Sequence, residues 1–320
     1  MNRKSIFALS RIFISVALLG FLAFLMRDKL DDLLQVIKKV NVPLFFFSIL
    51  FILPLVLLSS LRLQCFLSVQ GIYFKLHETI KLNLIGYFFN NFMPSTVGGD
   101  VAKIYYVKRR SGDYTRPFSA ILIDRIIGLA ALIVFAAIAV MFWGKLINSI
   151  AAKSIVLLSL LFLISAICLI YFRIANNVWG WLLGLRVFIR LKKKILNISK
   201  AINLYRGSKA LLLGFSFSCL SHGLMAVYAF CLAKTLNIDL ALPIFLILIP
   251  VVSLISCLPS LNGLGIREGA FVYFFKEFIA PEQALALSIL YFAQMIILSC
   301  IGGLVYLFNG AEIIKEVSDD

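Results

Sequence analysis

"NNFMPSTVGGDVAKIYY" occupies Asn90–Tyr106 and interrupts a chain otherwise dominated by Leu, Ile, Phe and Val. Pro94 has no N–H to donate and its ring collides with the preceding turn, so a helix arriving from upstream ends here. Ser95 or Thr96 supplies a side-chain oxygen to start the next helix, which "VGGDVAKIYYVKRR" continues to Ser111 and Gly112. Gly98 and Gly99 allow a second backbone or a ligand to come close. A matching interruption, "SCLPSLNGLGIREGA", occupies Ser256–Ala270. Pro259 stops a helix, Ser260 or Asn262 is placed to cap, and "GIREGAFVYFF" resumes. Both interruptions read Pro-Ser-x-x-Gly, at Pro94, Ser95 and Gly98 and again at Pro259, Ser260 and Gly263.

The surroundings say where such breaks must sit. Of 320 residues 62% are hydrophobic and 14% charged, against about 45–50% and about 25% in a soluble domain. That composition cannot clothe a polar surface, so the chain belongs in a bilayer. Seven apolar segments are long enough to cross it as helices: about 5–26, 43–61, 118–142, 153–172, 209–233, 241–258 and 283–308. Their apolar runs are continuous rather than alternating, which excludes a membrane barrel. The expected fold is all-α: a polytopic membrane helix bundle of about 7–8 transmembrane helices in one domain, 1–320, with broken or re-entrant segments at about 79–110 and 256–280. Arg3 and Lys4 before the first apolar run resemble the start of a signal peptide. The run is longer than such a peptide's core and "MRDKLDDLL" follows, so it reads as a retained helix.

The net charge of +16 would suit nucleic acid, but its placement does not. Nine Lys or Arg and no acid lie between Arg173 and Lys209, and five more, against one Asp, lie between Lys103 and Arg116. Basic residues flanking membrane helices mark the cytoplasmic side. The N-terminus and the 173–208 loop are therefore expected in the cytoplasm, with nucleic acid excluded as a partner. Within that loop "VWGWLLGLRVFIRLKKKIL" mixes Trp and Leu with Arg and Lys. That pattern suits a helix lying on an anionic inner leaflet, or serves as a topology signal alone.

By the same logic residues 79–100 start and finish on the cytoplasmic side, so Asn90–Tyr106 reads as the tip of a re-entrant segment. Irregular backbone at membrane depth must be buried in protein or line a watery cavity, and paired broken segments point to a transporter's binding site. Each resumed helix begins with N–H groups and a positive dipole end that favour phosphate. Counting 241–258 as a span, four crossings separate the two breaks and place both on one side. An inverted repeat does not follow from that count.

Charges inside the spans are each a functional hypothesis. Arg125 and Arg267 have the planar forks to grip a phosphate, while Asp100, Asp124 and Glu268 are suited to orient those arginines or carry a proton. The alternative is that Asp124–Arg125 and Arg267–Glu268 only pair with charges across the bundle. Arg11, Arg62 and Asp124 also lie where they can snorkel to an interface. His222 and Gln294 read as interhelical hydrogen-bonding groups. The six cysteines show no CxxC spacing, and His77 and His222 have no neighbours to complete a metal site, so neither metal nor cofactor is expected.

At these residues the chain resembles a known family. "NNFMPSTVGGDVAKIYYVKRR", "FSAILIDRIIGLAAL" and "LPSLNGLGIREGAFVYFF" are similar, in order, to signatures of the membrane domain of lysylphosphatidylglycerol synthase/flippase proteins. The signatures fall on Asn90, Asn91, Pro94, Gly98, Gly99 and Asp100; on Asp124, Arg125 and Gly128; and on Gly263, Gly265, Arg267, Glu268 and Gly269. Where the family has Glu before the second-signature arginine, this chain has Asp124. The resemblance implies a flippase-like fold in a prokaryotic cytoplasmic membrane. In full-length synthases an aminoacyl-transfer domain follows, whereas this sequence stops at "NGAEIIKEVSDD", so lipid aminoacylation is not expected.

The expected function is a lipid flippase moving an anionic phospholipid or a polyprenyl-phosphate-linked sugar, with membrane lipids as its partners. Two alternatives stay open: a non-transporting partner of an envelope glycosyltransferase, and a polyprenyl-phosphate-dependent membrane transferase. The second is disfavoured because no nucleotide-binding loop, nucleophile–base pair or metal spacing is visible.

Overall fold

The computed structural model describes residues 30–92, 98–171, 201, 203–258 and 263–309. The elements are α1 (Leu30–Lys38), α2 (Val42–Ser48), α3 (Ile52–Val69), α4 (Leu76–Phe92), α5 (Gly98–Ser111), α6 (Thr115–Trp143), α7 (Ile150–Tyr171), α8 (Lys209–Lys234), α9 (Leu242–Ser256), α10 (Ile266–Phe275) and α11 (Pro281–Asn309). No strand occurs among the described residues. Among the described residues four helical stretches are long and apolar enough to cross a membrane: Val42–Val69, Thr115–Leu146, Lys209–Lys234 and Pro281–Phe308. Ile150–Ala166 and Leu242–Ser256 are shorter apolar helices. The expected 5–26 helix, and with it Arg11, lies outside the described residues, as do residues 173–200 and 202 of the basic loop.

Val42–Val69 is one rod with a tightened step. Asn41 caps it by accepting the Leu44 N–H at 3.1 Å. A 3-10 turn at Ile49–Phe51 joins α2 to α3 just before Pro54, whose ring and missing N–H the tighter turn accommodates.

The two interruptions fold into antiparallel hairpins. In the first, α4 and α5 touch near the tip where Asn90 Oδ1 accepts the Gly99 N–H at 2.8 Å. They touch again at the base, where Arg110 Nη1 donates to Glu78 at 2.7 Å. Pairing that runs inward from 78 with 110 to 90 with 99 means the segment enters and leaves at one end. In the second hairpin, Gly263 lies against Ser256 near the tip, and the Phe245 and Phe275 rings meet 5.5 Å apart at the base. The turns themselves, 93–97 and 259–262, lie outside the described residues and include Pro94, Ser95, Pro259 and Ser260.

The hairpins enter from opposite ends of the bundle. Helix α6 starts beside the base of the first hairpin and, at 29 residues, runs about 43 Å. Just beyond its far end the Asn148 N–H donates to Glu277 at 3.0 Å, at the base of the second hairpin. The hydrophobic clusters divide the same way. One joins Leu63, Phe66 and Leu67 of α3 to Leu82, Ile85, Tyr106 and Val107 of the first hairpin and Ala120, Ile121 and Ile123 of α6. The other joins Ile52 and Val56 at the opposite end of α3 to Ala136 and Ala139 of α6, the second hairpin and Ala284–Leu298 of α11.

This corrects the crossing count. Helix α9 is the first arm of a hairpin and not a span, so three helices, α6, α7 and α8, separate the breaks. An odd number reverses the side of approach. Hydropathy could not reveal it, because a hairpin arm in a protein core is as apolar as a span.

Candidate functional site

The tips of the hairpins share one cavity of about 690 Å³. Asn90, Asp100 and Ile104 line it from the first hairpin, and Ser253, Ser256, Cys257, Arg267 and Phe271 from the second. Ile249 and Val252 of α9, Phe118, Ile121, Leu122 and Arg125 of α6, Met225 of α8 and Tyr291 of α11 complete the wall. Arg125 and Tyr291 each stand ten residues from the start of their helix, and those starts lie at opposite ends. The cavity therefore occupies the middle of the bundle.

Close packing builds the first tip. A Cβ on Gly99 would stand 2.2 Å from the Gly86 carbonyl oxygen and 2.8 Å from the Asn90 side chain. Only a residue without Cβ lets α5 approach α4 closely enough for Asn90 to take the Gly99 N–H. Asp100 follows, buried, and accepts from Arg125 Nε at 2.7 Å and Nη2 at 2.8 Å. A two-pronged pair of this kind fixes the plane of the guanidinium.

Left-handed backbone builds the second tip. Gly263 at φ 80° and Gly265 at φ 81° adopt a region that costs other residues energy. Glu268 reaches back to accept the Gly265 N–H at 2.6 Å, which starts α10. Its other oxygen accepts from Arg267 Nη2 at 2.6 Å and Nε at 3.2 Å. The Arg267 guanidinium also lies 4.7 Å from the centre of the Phe292 ring.

These contacts revise two expectations. At each helix start one N–H is already taken, that of Gly99 by Asn90 and that of Gly265 by Glu268. Asp124 orients neither Arg125 nor Arg267. It holds Arg62 across the bundle, accepting from Nε at 2.6 Å and Nη2 at 2.9 Å. Asp124 and Arg125 are consecutive, so their side chains leave α6 in different directions and find different partners. Arg267 and Glu268 pair with each other at one helix start, not with charges across the bundle.

The three arginines differ in what they have left. Arg62 gives Nη1 to Ser218 at 2.9 Å, so all three of its nitrogens have partners. Arg125 and Arg267 spend Nε and Nη2 on their own carboxylates. Among the described residues neither gives Nη1 a partner, and both line the cavity. The Arg125 side chain is 52% exposed and the Arg267 side chain 8%.

Other expected residues lie apart from the cavity wall. Asn91 turns to α11 and donates to Ser299. Gly98, Gly263 and Gly265 are buried supports of the tips. His222 meets the Gly128 carbonyl at 3.2 Å, and Gln294 donates to Phe45 O and Ser48 Oγ, both at 2.7 Å. Sequence reading missed Ser253, Ser256, Cys257 and Tyr291. Nothing in their spacing marks them, because the hairpin and α11 bring them to the cavity. No group of three or more metal-ligating side chains occurs among the described residues.

Comparison with known proteins supplies the last observation. Residues 9–303 match the family model described as the lysylphosphatidylglycerol synthase TM region. The chain is also similar to a UPF0104 membrane protein of Pyrococcus horikoshii, with 25% identity over 116 residues. That alignment covers 35% of this chain and 35% of the relative, so the chain matches about a third of that protein's length.

Proposed function

We propose that this chain, which belongs to the lysylphosphatidylglycerol synthase TM region family, moves an anionic lipid between the leaflets of the cell membrane by holding its headgroup in the central cavity. The chain is a multi-pass helical membrane protein, and the proposal concerns what such a protein carries.

One observation carries the reading: two arginines from different elements line one cavity, each held by a carboxylate and each with Nη1 unspent among the described residues. A phosphate presents several acceptor oxygens, and arginine donates to them in fixed directions. Pre-set arginines bind without first having to order their side chains.

The cavity wall suits a lipid better than a soluble anion. Beside the arginines the wall is apolar, with Ile104, Phe118, Ile121, Leu122 and Phe271 among its residues. Val101, next to Asp100, Phe118 of the cavity wall and Leu258, just past α9, are exposed apolar residues that would face acyl chains. A headgroup can thus sit among the arginines while its tails remain in the bilayer. Hairpins entering from opposite ends make the site reachable, in turn, from either leaflet.

The test is transport by the purified chain in liposomes, using fluorescent phosphatidylglycerol and a fluorescent polyprenyl phosphate. Wild type should move one of them, and Arg125→Gln should slow that movement at least tenfold, with Arg125→Lys intermediate. Arg125 is the more exposed of the two arginines, its side chain 52% exposed, and because its loss also leaves Asp100 without its partner, folding of each variant is checked by thermal unfolding before transport is compared. Movement that is unaffected by Arg125→Gln and Arg267→Gln would remove the headgroup from this cavity. No movement of either lipid by folded protein would overturn transport itself.

A further inference from the structure

Behind the cavity wall the first hairpin carries a cation that the reading above does not use. Lys103 lies one turn beyond Asp100 on α5. Its stem rests on Gly86, where an added Cβ would stand 2.4 Å from Lys103 Cε. The ammonium group lies within electrostatic reach of Asp100 and Asp124, which attract it, and of Arg125 and Arg62, which repel it. Among the described residues it makes no ion pair and no hydrogen bond. Both carboxylates are already taken by two-pronged arginine pairs.

The charges of this cluster do not balance. Arg62, Lys103 and Arg125 are three cations facing two anions, Asp100 and Asp124. Arg267 and Glu268 cancel each other across the cavity. Among the described residues one positive charge is left over in the middle of a membrane bundle, where an uncompensated charge is costly and the low dielectric lets it act over several ångströms.

We propose that this surplus charge sets the ligand class: the cavity takes a phosphodiester headgroup with a single negative charge, ahead of a zwitterion or a phosphomonoester carrying close to two. Lys103 is then a specificity-determining residue that acts by charge from behind Asp100 and does not touch the ligand. The inference rests on the cavity being a headgroup site. A ligand of net charge minus one neutralises the cluster, a zwitterion leaves the surplus, and a second negative charge overshoots.

The test is lipid binding by the purified full chain in neutral detergent, which does not depend on transport. Four probes are titrated: phosphatidylglycerol, phosphatidylcholine, phosphatidic acid and water-soluble glycerol 3-phosphate. Wild type should bind phosphatidylglycerol about tenfold more tightly than phosphatidylcholine, the scale of one charge acting through protein. Lys103→Gln should abolish that preference, and Lys103→Arg should keep it. If Lys103→Gln does not fold, Lys103→Met, which preserves the apolar stem over Gly86, is read in its place. A wild-type preference that survives loss of the lysine overturns the proposal, as does tighter binding of phosphatidic acid. Glycerol 3-phosphate binding as tightly as phosphatidylglycerol would make the anion a soluble one and overturn the lipid class. Phosphatidylglycerol binding unchanged by Arg125→Gln would instead overturn the headgroup site itself, so the two failures are told apart.

Discussion

Replacing Gly99 by Ala adds one methyl group where the two arms of the first hairpin touch. Its carbon would stand 2.2 Å from the Gly86 carbonyl oxygen, whereas carbon–oxygen contacts of this kind settle near 3.3–3.6 Å. The arms must part by about 1 Å. Overpacking of this sort costs about 1–3 kcal/mol, and the strained Asn90–Gly99 hydrogen bond adds about 1 kcal/mol. The expected loss is about 2–4 kcal/mol, or a fall in Tm of about 4–8 °C in detergent if each kcal/mol is worth about 2 °C in a chain of this size. Helix propensity alone argues the other way, since Ala is preferred to Gly by about 0.5–1 kcal/mol inside a helix. Gly269→Ala provides the control: it lies in the second hairpin and a Cβ there meets nothing within 4 Å. That variant should unfold at or slightly above the wild-type temperature. Equal Tm values for the two variants, measured by intrinsic fluorescence, would refute the close approach of α4 and α5.

Three further outcomes follow from the same contacts. Asp124→Asn strands the Arg62 charge and should cost about 3 kcal/mol, while the double variant Arg62→Met, Asp124→Leu recovers most of it; failure of the pair to recover in thermal unfolding would show that the ion pair is needed as such. Asn90→Ala removes the acceptor for the Gly99 N–H and should lower stability by about 1 kcal/mol, whereas Asn90→Asp retains it, as denaturant titration would show. Asp113, at the start of α6, accepts the Thr115 and Arg116 N–H groups, and these hold its carboxyl below the usual carboxylate range. A depressed folded pKa adds stability above the unfolded value of about 3.9 and loses it as pH falls through the lower folded one. The gap between wild type and Asp113→Ala should therefore narrow with acid below about pH 4, and a gap that widens would reverse the assignment.

The spans were legible because bilayer thickness dictates helix length. The segment expected at 118–142 is Thr115–Trp143, and that at 209–233 is Lys209–Lys234. The hairpin at 79–110 was legible from the positions of its basic residues, which left no room for a crossing. The second hairpin was harder. Its first arm, Leu242–Ser256, has no charge to betray its direction, so it passed for a span. The pairing of charges was not legible at all. Asp124 stands beside Arg125 in sequence yet meets Arg62, while Arg125 meets Asp100, because neighbours on a helix face different ways and the partners come from other elements. Lys103 sat in plain view, but its surplus charge emerges only once its neighbours have been matched with one another.

The position of the cavity between the two hairpin bases has an electrical consequence. A transmembrane voltage is worth about 2.3 kcal/mol per elementary charge per 100 mV across the whole span. A charge departing from the middle crosses about half of that drop, roughly 1.2 kcal/mol per 100 mV, whichever leaflet it leaves for. If the proposed transport holds, a polarised cell would divide its electrical work evenly between loading and release. Neither half of the cycle would carry the whole field, and an anion held there would feel the voltage at both steps rather than at one.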